Sequence, residues 1–399
     1  MSLDLTKVAP QVTNMVTQLR NRTRERQEQL DRSLNILKSI EFEKLKRKVA
    51  ASHTTWLVAG LVEGLNVTYP LPALLAEYTV IATDGSQIDI DRHRAARCYL
   101  INISTVVLKY GTNPGAELTS YPNLYSAEED MIIAPDNTNI NKQVIDSTLL
   151  GIKRNVEECS YLAKLSEKIP AGSTGLALMD GTLILWGLSG NIYPDFVVES
   201  LLNNGLLQQL EQMRKMNKDR KLVVASYISF PRSNDVINSL RVSLCPHEVV
   251  NTDRYCENCV NRECSVLSDI QDRDLFAYLL KSGERSALFM NNSSIVTSYY
   301  GPHRVYFFYL NVDEEIARIE IPEWIAMNKD LVNTAHSLII EQCKKGQGYP
   351  VALSEAHEQA VVTGMDRENF WNLIESSLID EKLAGSNSVK SRSKRTRWV

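Results

Sequence analysis

The sequence predicts an α/β protein, with a mixed sheet core, flanking helices, a helical N-terminal arm and a cysteine-rich metal-binding loop inserted late in the chain. Three observations lead there. Two apolar runs, Val80-Ile81-Ala82 and Leu176-Ala177-Leu178-Met179, each reach Asp-Gly and a hydroxyl residue, at Asp84-Gly85-Ser86 and Asp180-Gly181-Thr182. Around them, apolar residues recur at helical spacing. Cys245, Cys256, Cys259 and Cys264 crowd into one polar stretch.

Composition sets the bounds. A chain of 399 residues, 44% hydrophobic and 23% charged, is ordinary for a globular protein and long enough for two or three structural units. The net charge of -4 offers no global basic footprint, although a local basic groove can sit on an acidic protein. The start, Met-Ser-Leu-Asp-Leu-Thr-Lys, has no apolar signal-like segment, and no apolar run approaches the ~18 residues of a membrane span. A cytoplasmic protein without membrane attachment is expected.

In chain order, residues 1 to about 55 read as helix, with apolar stripes at Val12, Met15, Val16, Leu19 and then Leu30, Leu34, Leu37, Ile40. The charged stretch Arg20–Arg26 between them reads as a solvated face. Strands are expected at 78–84, ending on Asp84, and at 98–110, joined by a hairpin through 89–94. Residues 112–140, polar and rich in Pro and Asn, read as a long loop or irregular hairpin. A helix follows from about Asn141 to Lys168, with Ile145, Leu149, Ile152, Val156, Cys159 and Ala163 on its buried stripe and Glu157 and Glu158 at the edge. After the Asp180 strand come a helix at 201–218, a strand at 222–229 and a helix from Val236. Residues 286–300 and 305–312 read as strand-like, 324–344 as helix, and the segment after Gly346-Gln-Gly-Tyr-Pro350 as short and mixed. The tail from 385 to 399 is basic and reads as disordered.

A carboxylate inside so apolar a run is costly unless it is paired or binds a metal. Asp84 and Asp180, brought side by side in one sheet, would make a divalent-metal site. Each Asp-Gly is also a hairpin-turn dipeptide, which is the competing structural reading. The C-x10-C-x2-C-x4-C spacing suits tetrahedral zinc or an iron–sulfur cluster, and spacing does not separate the two; reduced loop cysteines are the alternative. Arg232, directly after a strand, could meet a phosphate or be a surface arginine. His357, after the Gly/Pro turn, is a candidate ligand or a satisfied structural histidine.

The order of the two Asp-Gly-Ser/Thr strands and the late Gly348-Tyr-Pro350…Glu355-Ala-His357 segment resembles the NurA nuclease family over residues 78 to about 375. The resemblance implies an RNase H-like core and a manganese-dependent deoxyribonuclease of the 5'-3' exonuclease and single-strand endonuclease type. It implies a homodimer acting on DNA ends and single strands, in end resection and double-strand-break repair with a HerA-like hexameric ATPase. Asp84 and Asp180 match the catalytic aspartates, His357 the C-terminal histidine, and Glu157 the helix glutamate, with Glu158 as the neighbouring choice. These residues would hold Mn2+ or Mg2+, and Arg232 and Arg92 would contact DNA. The expected division is a helical arm at 1–70, a nuclease domain at 71–384 with a Cys-rich insertion at 245–264, and the tail. The rival expectation is a non-catalytic DNA- or ATPase-binding scaffold with a structural zinc or iron–sulfur site.

Overall fold

The computed structural model describes residues 4–91, 94, 96–135, 141–190, 192–381 and 383. In chain order its principal elements are α1 (Leu5–Ser39), α2 (Phe42–Ala50), β1 (Tyr78–Ile88), β2 (Tyr99–Tyr110), β3 (Gly115–Tyr125), α3 (Ser147–Glu167), β4 (Thr174–Asp180) and β5 (Lys221–Ile228). They continue with α4 (Asp235–Leu244), β6 (Val305–Asn311), β7 (Ile316–Pro322), α5 (Lys329–Lys345), α6 (Val351–Ala360) and α7 (Gly364–Asp380). By internal contact the chain divides into two compact units. One comprises Met1–Leu71, Ile228–Ser293 and Tyr306–Ile319; the other comprises Pro72–Tyr227, Ser294–Val305 and Glu320–Val399.

The first unit holds the paired N-terminal helices. The second half of α1 buries Leu30 and Leu37, and α2 buries Leu45 and Val49, against Ile237 and Leu240 of α4, Phe276 and Phe307. The first half of α1 leaves Val12, Met15, Val16 and Leu19 exposed, so the earlier of the two apolar stripes has no cover within the described residues. A buried polar network fixes the start of α4. Arg318 donates to Asp235 at 2.8 Å, while Asp272 accepts the Ile237 N–H at 2.8 Å and the Tyr309 hydroxyl at 2.6 Å. A carboxylate at a helix N-terminus satisfies backbone N–H groups that have no partner inside the helix.

The second unit is built on a mixed sheet in the order β5-β4-β1-β2-β3. β1, β2 and β3 form an antiparallel meander, while β4 runs parallel to both β1 and β5. The central strands are apolar on both faces, as parallel strands covered by helices must be: Val80, Ile81, Ala82, Leu176, Ala177 and Leu178 are all fully buried.

Several elements depart from the sequence expectation. β1 does not end at Asp84; it pairs with β2 from Tyr78↔Tyr110 through Asp84↔Ser104 to Ile88↔Leu100. Residues 115–125, within a stretch expected to be a long loop or an irregular hairpin, form an eleven-residue strand paired antiparallel with β2 along its length, a regular hairpin. Its sequence hides this because it is the outermost strand, mostly exposed, and its Pro122 is tolerated at an edge. Residues 294–299, expected in a strand, are helical. The segment after Pro350 is a full helix, α6, with Pro350 at its N-cap, where its missing N–H costs no helical bond.

Candidate active site

Parallel pairing places the two aspartates together. Thr83 is opposite Met179 in the β1–β4 register, so the next residues, Asp84 and Asp180, lie side by side on one face, about one strand spacing of ~4.8 Å apart along the backbone. The two Asp-Gly pairs do different things. Gly181 follows the last residue of β4 and takes φ +80°, a left-handed turn that a side chain would strain. Gly85 sits mid-strand, and its lack of a side chain makes room: a Cβ there would lie 2.7 Å from Oε1 of Glu158 and 2.9 Å from Ile103.

The hydroxyls after each Asp-Gly are structural. Ser86 donates to the carbonyl of Ala360, Asn102 donates to the same carbonyl at 2.9 Å, and Ser104 donates to that of Ala356. These bonds hold the C-terminal end of α6, where carbonyls lack helical partners, against the sheet. Thr182 donates to Glu320 at 2.7 Å, and the Leu183 N–H donates to the same oxygen at 3.1 Å. Glu320, almost fully buried, thereby fixes the turn that carries Asp180.

Docked in this way, α6 brings His357 to Asp84, with Nδ1 2.9 Å from Oδ2. A carboxylate can only accept, so this bond is made by the tautomer or cation that carries a proton on Nδ1. Tyr349, on the turn before α6, donates its hydroxyl to Asp180 Oδ1 at 2.9 Å. Burial raises the Asp180 carboxyl; the Tyr349 hydrogen bond opposes this, and the nearby Asp84 charge adds to it.

Glu158 completes the cluster. It is 6% exposed, and burial pushes its carboxyl up to about 8; Arg154 opposes the shift, and the charges of Asp84 and then Asp180 add to it. Arg154 Nε lies 3.1 Å from Glu158 Oε1. That contact is an ion pair by distance but is too poorly aligned to be a hydrogen bond, and both atoms lack a hydrogen-bond partner.

The structure does not bring Glu157 to this cluster. Its carboxylate accepts the Tyr125 hydroxyl at 2.7 Å, on the β3 side of the unit. One residue along a helix is a rotation of about 100°, so the two glutamates cannot face the same site. The helix buries a second stripe besides the expected one, including Glu158, Leu162 and Leu165, and it is this stripe that meets β1. The sequence signals for Glu158 were Arg154 at i−4 and Leu162 at i+4. Arg232 is exposed in the first unit, near enough to Arg273 for the two charges to repel. Arg92 and the tail from 385 lie outside the described residues.

The cysteine loop lies in the first unit. Among the described residues none of the seven cysteines forms a disulfide. Lys48 donates to the Cys245 carbonyl at 2.6 Å and Arg241 to the Cys264 carbonyl at 3.1 Å, which ties both ends of the loop to helices. Cys245, Cys256 and Cys259 are all close enough to Cys264 to raise its thiol electrostatically, though burial is the larger cause and Arg241 opposes it. Even so, among the described residues no three His, Cys, Asp or Glu side chains are gathered tightly enough to cage a metal, at this loop or at the Asp84 cluster. At the Asp84 cluster the donor set nevertheless fits a hard divalent cation: carboxylate oxygens, an imidazole, and a buried Glu158 oxygen with no hydrogen-bond partner.

These features define an α/β protein with an acidic cluster where parallel strands meet two helices. The sequence matches the NurA domain over residues 78–362, and the chain belongs to the NurA family, whose members are metal-dependent nucleases. One crystal structure of NurA aligns with 91% of this chain and 97% of its own, at 12% identity and a TM-score of 0.42, a likeness too distant to transfer residues or activity. No curated protein matches the sequence. Among the described residues no helix is long and apolar enough to cross a membrane.

Proposed function

We propose that this chain is a divalent-cation-dependent deoxyribonuclease whose centre is Asp84, Glu158 and Asp180, with His357 and Tyr349 as auxiliary groups. The observation that carries the reading is the buried Glu158 carboxyl, close enough to both aspartates for their charges to raise it and met by a single cation, Arg154, whose Nε lies 3.1 Å from Oε1. Three carboxyl groups against one guanidinium leave the cluster short of positive charge, which a divalent cation would supply. When bound, Mn2+ or Mg2+ would neutralise the scissile phosphate and activate water. Asp84, Asp180 and Glu158 would hold it through hard oxygen ligands. Tyr349 orients Asp180, and Arg154 keeps Glu158 in place. His357, oriented by Asp84 at Nδ1, would move a proton through Nε2.

The strand order β5-β4-β1-β2-β3, with three antiparallel strands followed by two parallel ones, supports an RNase H-like core. On the family resemblance, the substrates are DNA ends and single strands, cleaved by 5'-3' exonuclease and single-strand endonuclease action. The same resemblance suggests end resection in double-strand-break repair as a homodimer with a HerA-like ATPase. Arg232 would contact phosphate without reading sequence. The cysteine loop would carry a structural zinc or an iron–sulfur cluster once its sulfurs close on the ion.

The test is cleavage of end-labelled single- and double-stranded DNA with Mn2+, Mg2+ or EDTA, by wild type and by Glu158→Gln. Metal-dependent cleavage that is lost in the variant supports the centre. Undiminished cleavage by Glu158→Gln refutes it. No cleavage by wild type, with or without a HerA-type ATPase, favours the scaffold reading.

A further inference from the structure

The first unit contains a pocket of about 670 Å³ between α2 and the segment just after Cys245. Lys44, Arg47 and Lys48 line one wall; Pro246, His247 and Glu248 line the other. Basic residues in a last helical turn are favoured by the helix dipole alone, so the cations need a further argument.

Three observations supply it. Lys44 and Arg47 are exposed and make no ion pair among the described residues, although Glu43 and Glu248 are close in sequence or lining. Lys44 also repels Lys48, whose ammonium is already committed to the Cys245 carbonyl. The lining thus carries three cationic side chains, Lys44, Arg47 and Lys48, against one acid, Glu248. Finally, the His247 ring stacks on Tyr255 with centroids 4.0 Å apart and planes 14° apart, and Arg254 lies over the other ring of the pair at 5.3 Å.

Uncompensated cations next to a stacked aromatic pair form the combination that grips a single strand, with cations tracking phosphate and rings accepting a base face. We propose that this pocket is a second DNA subsite, holding the phosphodiester backbone of a single strand through Lys44 and Arg47, with His247 beside a base. The cysteine loop then has a role: it supplies one wall of a DNA-gripping module in the unit that does not carry Asp84. The inference rests on DNA being the substrate, and its test does not require cleavage.

The full chain, kept in EDTA, is titrated with a fluorescent single-stranded oligonucleotide at several salt concentrations. Lys44→Glu/Arg47→Glu is compared with wild type and with Lys215→Glu/Lys218→Glu, an equal charge change at exposed positions of the other unit. Losing two phosphate contacts should lower the slope of log K against log salt by about 1.4 and weaken binding by about tenfold or more at low salt. His247→Ala should weaken binding with the slope unchanged. The proposal is overturned if Lys44→Glu/Arg47→Glu binds like wild type, or if the control pair weakens binding equally. It is also overturned if inorganic phosphate stabilises only the wild type while oligonucleotide affinity is the same in both, which would mark a free-anion site. Cleavage of bis(p-nitrophenyl) phosphate, which carries no further phosphate for a second subsite, should persist in Lys44→Glu/Arg47→Glu. If wild type does not cleave it either, the nuclease reading is in question while the binding comparison still stands.

Discussion

Glu158 gives the acidic cluster a thermodynamic signature that can be read without any substrate. Its carboxyl ionises near 4.5 when exposed and near 8 in the folded protein. Below pH 4.5 it is protonated in both states and contributes nothing to pH dependence. Between 4.5 and 8 the unfolded chain has released the proton and the folded chain has not, so stability falls as pH rises; above 8 the loss is complete. At about 1.4 kcal/mol per pH unit the full loss is of order 5 kcal/mol. Replacement by glutamine removes the titration while keeping the shape. In EDTA, urea denaturation at pH 5 and pH 8.5 should therefore show wild type losing several kcal/mol more than Glu158→Gln. Asp180, also raised, gives both proteins a slope of the same sign, so only the difference between them counts. Mn2+ at pH 8.5 should restore the wild type and have much less effect on the variant, because a ligand specific for the folded state stabilises it by mass action. Parallel stability–pH curves for the two proteins would refute the burial and charge coupling assigned to Glu158.

Three further outcomes follow from named contacts. Gly85→Ala places a methyl 2.7 Å from Glu158 Oε1, and it should reduce cleavage by about a hundredfold with circular dichroism unchanged. Tyr349→Phe removes a bond that lowers the Asp180 carboxyl, so the acid limb of the pH–rate profile should move upward; an unmoved limb would mean that Asp180 does not report on the rate. Arg318→Ala strands the buried Asp235 carboxylate and should cost about 3–5 kcal/mol of stability, read from denaturation of the first unit.

What could be read from the sequence was what depends on local pattern. The apolar runs before Asp84 and Asp180 marked central strands, because strands buried on both faces must be continuously apolar. The amphipathic stripes at Leu30 to Ile40 and at Leu149 to Ala163 marked helices. A carboxylate at or near the end of an apolar run marked both aspartates as residues needing a partner. Tertiary structure decided the rest. The sequence left 112–140 open between loop and irregular hairpin, and the length and regularity of β3 were hidden because an edge strand facing solvent needs no apolar alternation. Glu157 and Glu158 could not be separated because α3 is buried on two sides, and only the approach of Gly85 shows which side carries the cluster. The roles of Ser86 and Thr182 were hidden for the same reason. Their partners, the Ala360 carbonyl and the Glu320 carboxylate, are 274 and 138 residues away in sequence. A side chain's local pattern says what it requires, but which distant group meets the requirement is set by the register of β1 on β4 and by the docking of α6 onto the sheet.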